Sequence, residues 1–273
     1  MIAAPQIAAA PPGPKGPGGS QAVGRALSIL SLVGRAGSEG IGLAQLADDA
    51  GVARPTARRL LLALVSARLV DQDPVSRRYH LGPETYLLGT FAAERHGILH
   101  HARPSMLRLA EVTHDTVLLT APQDDHTLCL ERIEGSFPVR THALMKGDRK
   151  PAGVGAGAMA ILAALPPSEA QELRQRVAHL MPELTEALVE DEAQARRDGF
   201  ALNRGRIVPG SWGLGIAILW PDGRPAGALS IAAIENRMQD DRRADLIALL
   251  RREVALIETQ LAALGRTPER RRT

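Results

Sequence analysis

The sequence predicts an α+β protein in two parts: a short helical unit closed by a hairpin, then a longer unit in which helices cover an antiparallel sheet. Three observations carry that reading. Residues 23–67 hold three apolar helical stripes separated by glycine-containing breaks. Two strand-like runs, 212–220 and 226–234, flank the turn Pro221-Asp222-Gly223-Arg224-Pro225, a hairpin signal. No long alternation of strands with crossover helices accompanies them, which argues against a parallel sheet. The 273 residues suffice for two domains of ordinary size.

Residues 1–20 are rich in Pro, Gly and Ala and cannot bury enough surface to offset ordering entropy, so a disordered tail is expected. They lack a cationic start followed by an apolar run, so no secretory signal is expected. In VGRALSILSLV, the residues Val23, Ala26, Leu27, Leu30 and Val33 recur at three- and four-residue steps and predict a first helix. Gly37 to Gly42 break it. LAQLADDA (43–50) predicts a second helix with Leu43, Leu46, Ala47 and Ala50 inward, ended by Gly51. A third helix is expected from Arg54 to Ala67, with Leu60, Leu61, Leu64 and Val65 toward the core and Arg54, Ala57 and Arg58 opposite.

Ala47 and Gly51 stand four apart, the small residue and the turn glycine that a helix-turn-helix needs. Pro55 falls in the first turn of the third helix, where its missing N–H costs nothing. LVDQDPVSRRYHLG then reads as a two-stranded wing, with Arg77 and Arg78 near its tip. Residues 21–82 are therefore expected to form a winged helix-turn-helix, a three-helix module for protein contacts being the alternative.

A net charge of +3 says little about partners, but its distribution says more. Between Arg54 and Arg78 stand six arginines against two acids, Asp71 and Asp73. That surplus is either a solvated face or a surface for phosphates. Its place at the positive end of the third helix favours the second. The candidate contacts to a double-stranded DNA operator are Gln45, Arg54, Pro55, Thr56, Arg58, Arg59, Arg77 and Arg78.

Residues 83–97 are expected as a linker helix, and 98–265 as a second domain. There Ile98–Val112 reads as helix, and Thr116–Ala121 and Thr127–Ile133 as strands. Residues 156–165 form a small-residue helix stopped by Pro166-Pro167, and Ser168 with Gln171 resembles a capping box for the next one. Glu183–Asp198 is a helix ended by Gly199. The last helix repeats Ile247, Leu250, Val254, Ile257, Leu261 and Leu264, too few heptads to argue a coiled coil, so packing across the sheet is expected. Residues 266–273, RTPERRRT, read as a basic tail.

Little in the chain speaks for catalysis or cofactors. GVGAG (153–157) lacks the Gly-Lys-Ser/Thr of a phosphate loop and the strand of a dinucleotide fold, so a tight turn or pocket wall is expected. His96, His100 and His101 lie close, but Gly97 interrupts them and no cysteine or carboxylate completes a metal set. Ser211 reads as a loop residue. Cys129, the single cysteine, alternates with apolar Leu128 and Leu130, which suggests a buried thiol; it rules out an internal disulfide and fits a reducing cytoplasm. No run approaches the roughly 18 apolar residues of a membrane span.

The runs AVGRALSIL and LAQLADDAGVARPTARRLLLALVSARLVDQDPVSRRYHLGP resemble the DNA-binding half of the IclR family of bacterial regulators, and the resemblance extends from Gln21 to about Leu264. Thr56 and Arg59-Leu60-Leu61 match the family's recognition helix, while Pro55 stands where the family offers serine. The resemblance implies a GAF/PAS-like effector-binding domain, dimerisation through the linker into a homodimer or dimer of dimers, and a small organic effector such as an organic or aromatic acid or related metabolite. It implies no cofactor. The effector contacts it points to are Val139, Met145, Ala152, Gly155, Gly157, Ala158, Met159, Asn203, Trp212, Gly215, Ile216 and Ser230. Ala158-Met159 replaces the family's usual Gly-Lys pair, and Gly215 and Leu219 replace a polar residue and a proline, which implies a more hydrophobic or roomier pocket. A ligand-binding enzyme, or an interaction module, with a fused winged helix is the competing reading; repression and activation both stay open.

Overall fold

The computed structural model describes residues 18–139, 144–206 and 208–264. They divide between Gly97 and Ile98 into two units. The first holds α1 (Gly18–Arg35), α2 (Leu43–Asp49), α3 (Arg54–Ser66), β1 (Val70–Gln72), β2 (Tyr79–Leu81) and α4 (Pro83–His96). Helix α1 begins inside the expected tail, so residues 18–20 are helical. The rest of that tail, and the basic tail 266–273, lie outside the described residues.

The inward face of α1 is shifted from the expected one. Ile29 and Val33 are buried, whereas Val23 and Leu27 are more than half exposed. The buried stripe starts only where α2 and α3 cross the helix. On α3, Leu61 and Leu64 are buried, and so is Ala57, which was expected on the outer side. Ala57 joins Leu46 and Ala47 in one cluster: its small side chain on α3 complements Ala47 on α2 and permits a close helix crossing. Gly51 has φ +62°, and hydrogen bonds from Val52 N to Ala47 O and from Gly51 N to Asp48 O close α2 in a Schellman motif. Strands β1 and β2 pair antiparallel from Val70↔Leu81 to Gln72↔Tyr79, forming the wing.

The second unit holds α5 (Ile98–Thr113), β3 (Thr116–Gln123), β4 (His126–Ile133), β5 (Arg149–Pro151), α6 (Ala156–Ala164), α7 (Pro167–Ala178), α8 (Thr185–Asp198), β6 (Ala201–Arg204), β7 (Ser211–Leu219), β8 (Pro225–Ile234) and α9 (Asp240–Leu264). The strands form one sheet in the order β5-β4-β3-β8-β7-β6, antiparallel throughout, so the class is α+β as predicted. Edge strands β5 and β6 span only three and four residues, too short to show a two-residue period. Helix α7 starts on Pro166-Pro167 with no side-chain cap, so the expected Ser168 capping box is absent; proline at the first position pre-sets the helix instead. Gly199, at φ +72°, closes α8.

Alternation sorts the strand residues onto two faces. Val117, Leu119, Leu229, Ile231, Leu214 and Ile218 meet α5 and α9, and in α9 Leu246, Leu250, Ile257 and Leu261 are buried there. The opposite face is made of small and polar residues, among them Thr120, Ser230, Gly213, Gly215 and Ala228, and α6 lies on it. A Cβ on Gly215 would come within 2.6 Å of Ala156 O, and one on Gly157 within 2.6 Å of Thr120 Oγ1. Helix and sheet thus approach backbone to backbone. One end of the sheet is held by buried Asp115, whose carboxylate accepts from Arg237 Nε (2.8 Å) and an Arg242 terminal nitrogen (2.5 Å); both guanidinium groups also donate to Thr113 O.

Gly215→Ala should therefore destabilise the second unit by about 1–3 kcal/mol, the usual cost of overpacking. A lowered denaturant midpoint at unchanged slope would show it; an unchanged midpoint would mean that α6 does not sit on the sheet this closely.

Candidate DNA-reading surface and ligand cavity

Helix α3 starts from Ala53, which is extended (φ −61°, ψ 142°) and offers no side-chain cap. Its first-turn N–H groups are left for an external partner. Around that turn Arg54, Pro55, Arg58 and Arg59 are exposed, and together with Leu43 and Leu62 they line a groove. Thr56 is half-buried beside them, and Gln45 is exposed on α2. Three guanidinium groups and a helix N-terminus of the same sign thus share one surface, an arrangement that attracts phosphate.

The wing is built by Asp73. Its carboxylate accepts from Ser76 N (2.6 Å), Ser76 Oγ (2.8 Å) and Val75 N (3.1 Å), and these bonds, Ser76 N–H foremost, hold the carboxyl below the usual carboxylate range. Arg77 takes φ +58° in the turn, is exposed, and its carbonyl accepts from Gln72 Nε2. Arg78 is occupied inside the unit: its guanidinium donates twice to Gly40 O, at 3.0 and 3.3 Å. Gly40 itself has φ +63°, and a Cβ there would strike the His80 ring at 2.4 Å. Ile41 and Tyr79 exchange N–H···O bonds of 2.9 and 3.0 Å beside it. The wing is thereby fastened to the loop that leads into α2.

In the second unit a cavity lies between the first turn of α6 and the sheet. Of the residues expected at an effector, Gly155, Gly157, Ala158, Asn203, Trp212 and Ser230 line it. The others do not. Met159 and Ala152 are buried in the core among α6, α7 and α8, so the position of the family's lysine is a packing position here. Ile216 faces the α5–α9 core, one residue out of phase with the cavity wall. Gly215 supports Ala156 from beneath. Val139 and Met145 are exposed and outside the lining.

Residue-by-residue reading missed Leu118, Thr120, Thr127, Leu144, Lys150 and Ser211, all in the lining, whereas Val154 falls in the 153–157 segment expected as a turn or pocket wall. Ser211 opens β7 rather than lying in a loop. The pairing Leu118↔Ser230 between β3 and β8 brings Leu118 and Thr120 to the cavity, and nothing local in the sequence announces that pairing. Asn203 caps its own turn, its Oδ1 accepting from Gly205 N and Arg206 N. Cys129 is buried behind the wall beside Leu118 and Ala232, and desolvation pushes its thiol up to about 12. His101 contacts Gln260 on α9, and among the described residues no cluster of three metal-ligating side chains occurs. No helix among them is long and apolar enough to cross a membrane.

A helix-turn-helix unit followed by an α+β domain with a cavity is the layout of a transcriptional regulator. Residues 22–74 match the IclR helix-turn-helix domain, and residues 90–258 match the C-terminal domain of bacterial transcriptional regulator IclR. The chain belongs to the IclR family. It is 31% identical over 236 residues to the HTH-type transcriptional regulator BhcR of Paracoccus denitrificans, covering 82% of this chain and 81% of that protein. It is 27% identical over 262 residues to the HTH-type transcriptional regulator TtgV of Pseudomonas putida, covering 93% and 95%. Among solved structures, an IclR transcriptional regulator from Alicyclobacillus acidocaldarius aligns with TM-score 0.74 at 23% identity, over 88% of this chain and 98% of that one. An IclR homologue from Microbacterium hydrocarbonoxydans, complexed with 4-hydroxybenzoate, aligns with TM-score 0.73 at 21% identity, over 89% and 99%. These relatives are regulators rather than enzymes, and so is this chain.

Removing the Arg78 brace should loosen the wing. Arg78→Ala is expected to lower the stability of the first unit by about 1 kcal/mol, the scale of a partly exposed charge-assisted hydrogen bond. Hydrogen exchange at Ile41 and Tyr79 reads this directly: unchanged protection would show that the guanidinium holds nothing in place.

Proposed function

We propose that the chain binds a double-stranded DNA operator as a homodimer or dimer of dimers in the cytoplasm, under control of a small organic effector bound in the α6 cavity. Residues 21–82 serve as the DNA-reading module, 83–97 as the linker and 98–265 as the effector domain. The carrying observation is the uncapped N-terminus of α3 ringed by Arg54, Arg58 and Arg59. In this reading α3 enters the major groove, and Arg54, Thr56 and Arg58 contact bases or phosphates. Gln45, Pro55 and Arg59 flank them, and Arg77 holds the wing on the backbone. Arg78 acts as the internal brace.

Dimerisation is supported by apolar side chains that the first unit leaves exposed, Val23 and Leu27 on α1 and Tyr86, Leu88 and Phe91 on α4. The complex of the Microbacterium hydrocarbonoxydans homologue with 4-hydroxybenzoate supports control by a small organic molecule. An effector shifts DNA binding here by favouring one of two arrangements of the dimer, by as much as its affinities for them differ.

Arg58→Ala and Arg77→Ala should each weaken binding to the chain's own upstream DNA about tenfold and reduce the salt slope by about one counterion. Anisotropy titrations over a salt series check this. An unchanged slope in both variants would sink the docking scheme. Phe91→Asp should shift the sedimenting species toward monomer, and an unaltered distribution would remove α4 from the interface.

A further inference from the structure

The wing tip, which the proposed docking puts beside phosphates, opens with a carboxylate. Asp73 starts the loop 73–78, and every residue after it from Pro74 to Arg78 is exposed. A negative charge in that place repels the DNA backbone and lowers affinity, so a local reason must keep it there. The hydrogen bonds supply one. Ser76 N (2.6 Å), Ser76 Oγ (2.8 Å) and Val75 N (3.1 Å) all donate to the same atom, Asp73 Oδ1. Among the described residues Oδ2 accepts nothing. The loop therefore uses one acceptor oxygen of Asp73 and has no use for its charge, as in the turns that Asp and Asn side chains close on their own backbone.

The same loop sets the direction of Arg77. Its φ of +58° lies in the left-handed region, which a residue with a Cβ keeps only where its surroundings hold it. Here Arg77 N donates to Asp73 O (3.0 Å), Asp73 N donates to Arg78 O (2.9 Å), and Gln72 Nε2 donates to Arg77 O (2.9 Å). The bonds to Oδ1 fold Val75 and Ser76 back over Asp73, so the chain reaches Arg77 within one tight turn. Freed of them, Arg77 can relax to negative φ, which turns its Cα–Cβ bond and with it the guanidinium. Arg78 is bonded to Gly40 O, whereas the Arg77 guanidinium has no partner among the described residues and is the tip's outward cation. We infer that Asp73 is a positioning residue for DNA binding: its Oδ1 fixes the loop that presents Arg77, and its negative charge is a cost of that geometry. This rests on the reading in which Arg77 meets the DNA backbone. It goes further by separating what the acceptor atom does from what the charge does.

The test is a set of anisotropy titrations of the full chain on its own upstream DNA over a salt series. The variants are Asp73→Ala, Asp73→Asn, Arg77→Ala and the double variant Asp73→Ala/Arg77→Ala. Asparagine keeps an Oδ1 acceptor and loses the charge, so Asp73→Asn should bind as tightly as wild type or up to about threefold more tightly. Asp73→Ala loses the same charge together with the acceptor, and should bind about fivefold more weakly, against the electrostatic sign. In the Arg77→Ala background Asp73→Ala should cause no further loss, because the group it positions is gone. Amide exchange at Tyr79 should be unchanged in Asp73→Ala, which shows that the wing strands are still paired. Alanine and asparagine variants that both tighten binding would make Asp73 a solvated charge and overturn the inference. Equal losses in both would overturn it too, by making the charge itself the useful feature. So would a loss that persists without Arg77, or lost protection at Tyr79, since either places the effect in the wing as a whole. All of these leave the docking scheme standing. If Arg77→Ala binds like wild type at every salt concentration, the wing contact falls and the inference with it.

Discussion

Much of the second unit follows from one steric condition: the first turn of α6 lies on the sheet with glycines at the contact, backbone against backbone at Gly215 and backbone against the Thr120 hydroxyl at Gly157. Gly157 on the helix and Gly215 on β7 meet Thr120 Oγ1 and Ala156 O where any Cβ would collide. The contact fixes how far α6 stands from β3 and β8, and hence the width of the cavity beside it. It also turns a helix N-terminus, with its unsatisfied donors, inward rather than toward solvent. The sheet's own bulky residues lie mostly on the other face, where α5 and α9 bury Val117, Leu119, Leu229 and Ile231, while Met159, Leu162, Leu173 and Leu188 form a separate core among α6, α7 and α8. The packed face and the cavity face are thus separated by the two-residue period of the strands. One face is dense and apolar; the other is thin, glycine-rich and hydroxylated.

The first unit handles a different problem, which is to hold a small wing still. Two three-residue strands have little stability of their own. The wing is referenced to the helix-turn-helix through Gly40, which receives the Arg78 guanidinium and the His80 ring, and through the Ile41–Tyr79 exchange. Asp73 shapes the tip, and Arg77 is left outward-facing at its turn. Within Arg77-Arg78, adjacent residues of the same type therefore have opposite fates, set by the positive φ of the first and the reach of the second toward Gly40.

Element type was legible in the sequence wherever a period ran for several turns or a turn signal bounded it. The helices around Leu46, Leu61 and Leu250, the 211–234 hairpin and the glycine stops at Gly51 and Gly199 are read from local chemistry alone. Face assignment was less secure. Ala57 is apolar but small, so its position gave no strong signal, and only the crossing with α2 buries it. Val23 and Leu27 show the converse, since an apolar stripe is buried only as far as the unit has something to lay on it. The cavity was half legible. The glycine-rich 153–157 segment, Trp212 and Ser230 could be reached from the chain in order, whereas Thr120, Thr127 and Lys150 depend on strand pairings that join distant segments. Met159 and Ile216 lie in packed cores outside the cavity lining, because family position does not determine which side of a helix or strand meets the core.

Cys129 gives the chain an unforeseen practical property. It is the single thiol in the sequence, it is buried between β3, β8 and Leu144, and burial raises it to about 12, so it is almost wholly un-ionised at neutral pH. The protein therefore has a chemically quiet background toward thiol-directed reagents. A cysteine placed on an exposed position such as Val75 in the wing would be the one reactive sulfur in each chain. A spin or fluorescent label there would report on the wing from one defined position, without first stripping the native residue from the domain.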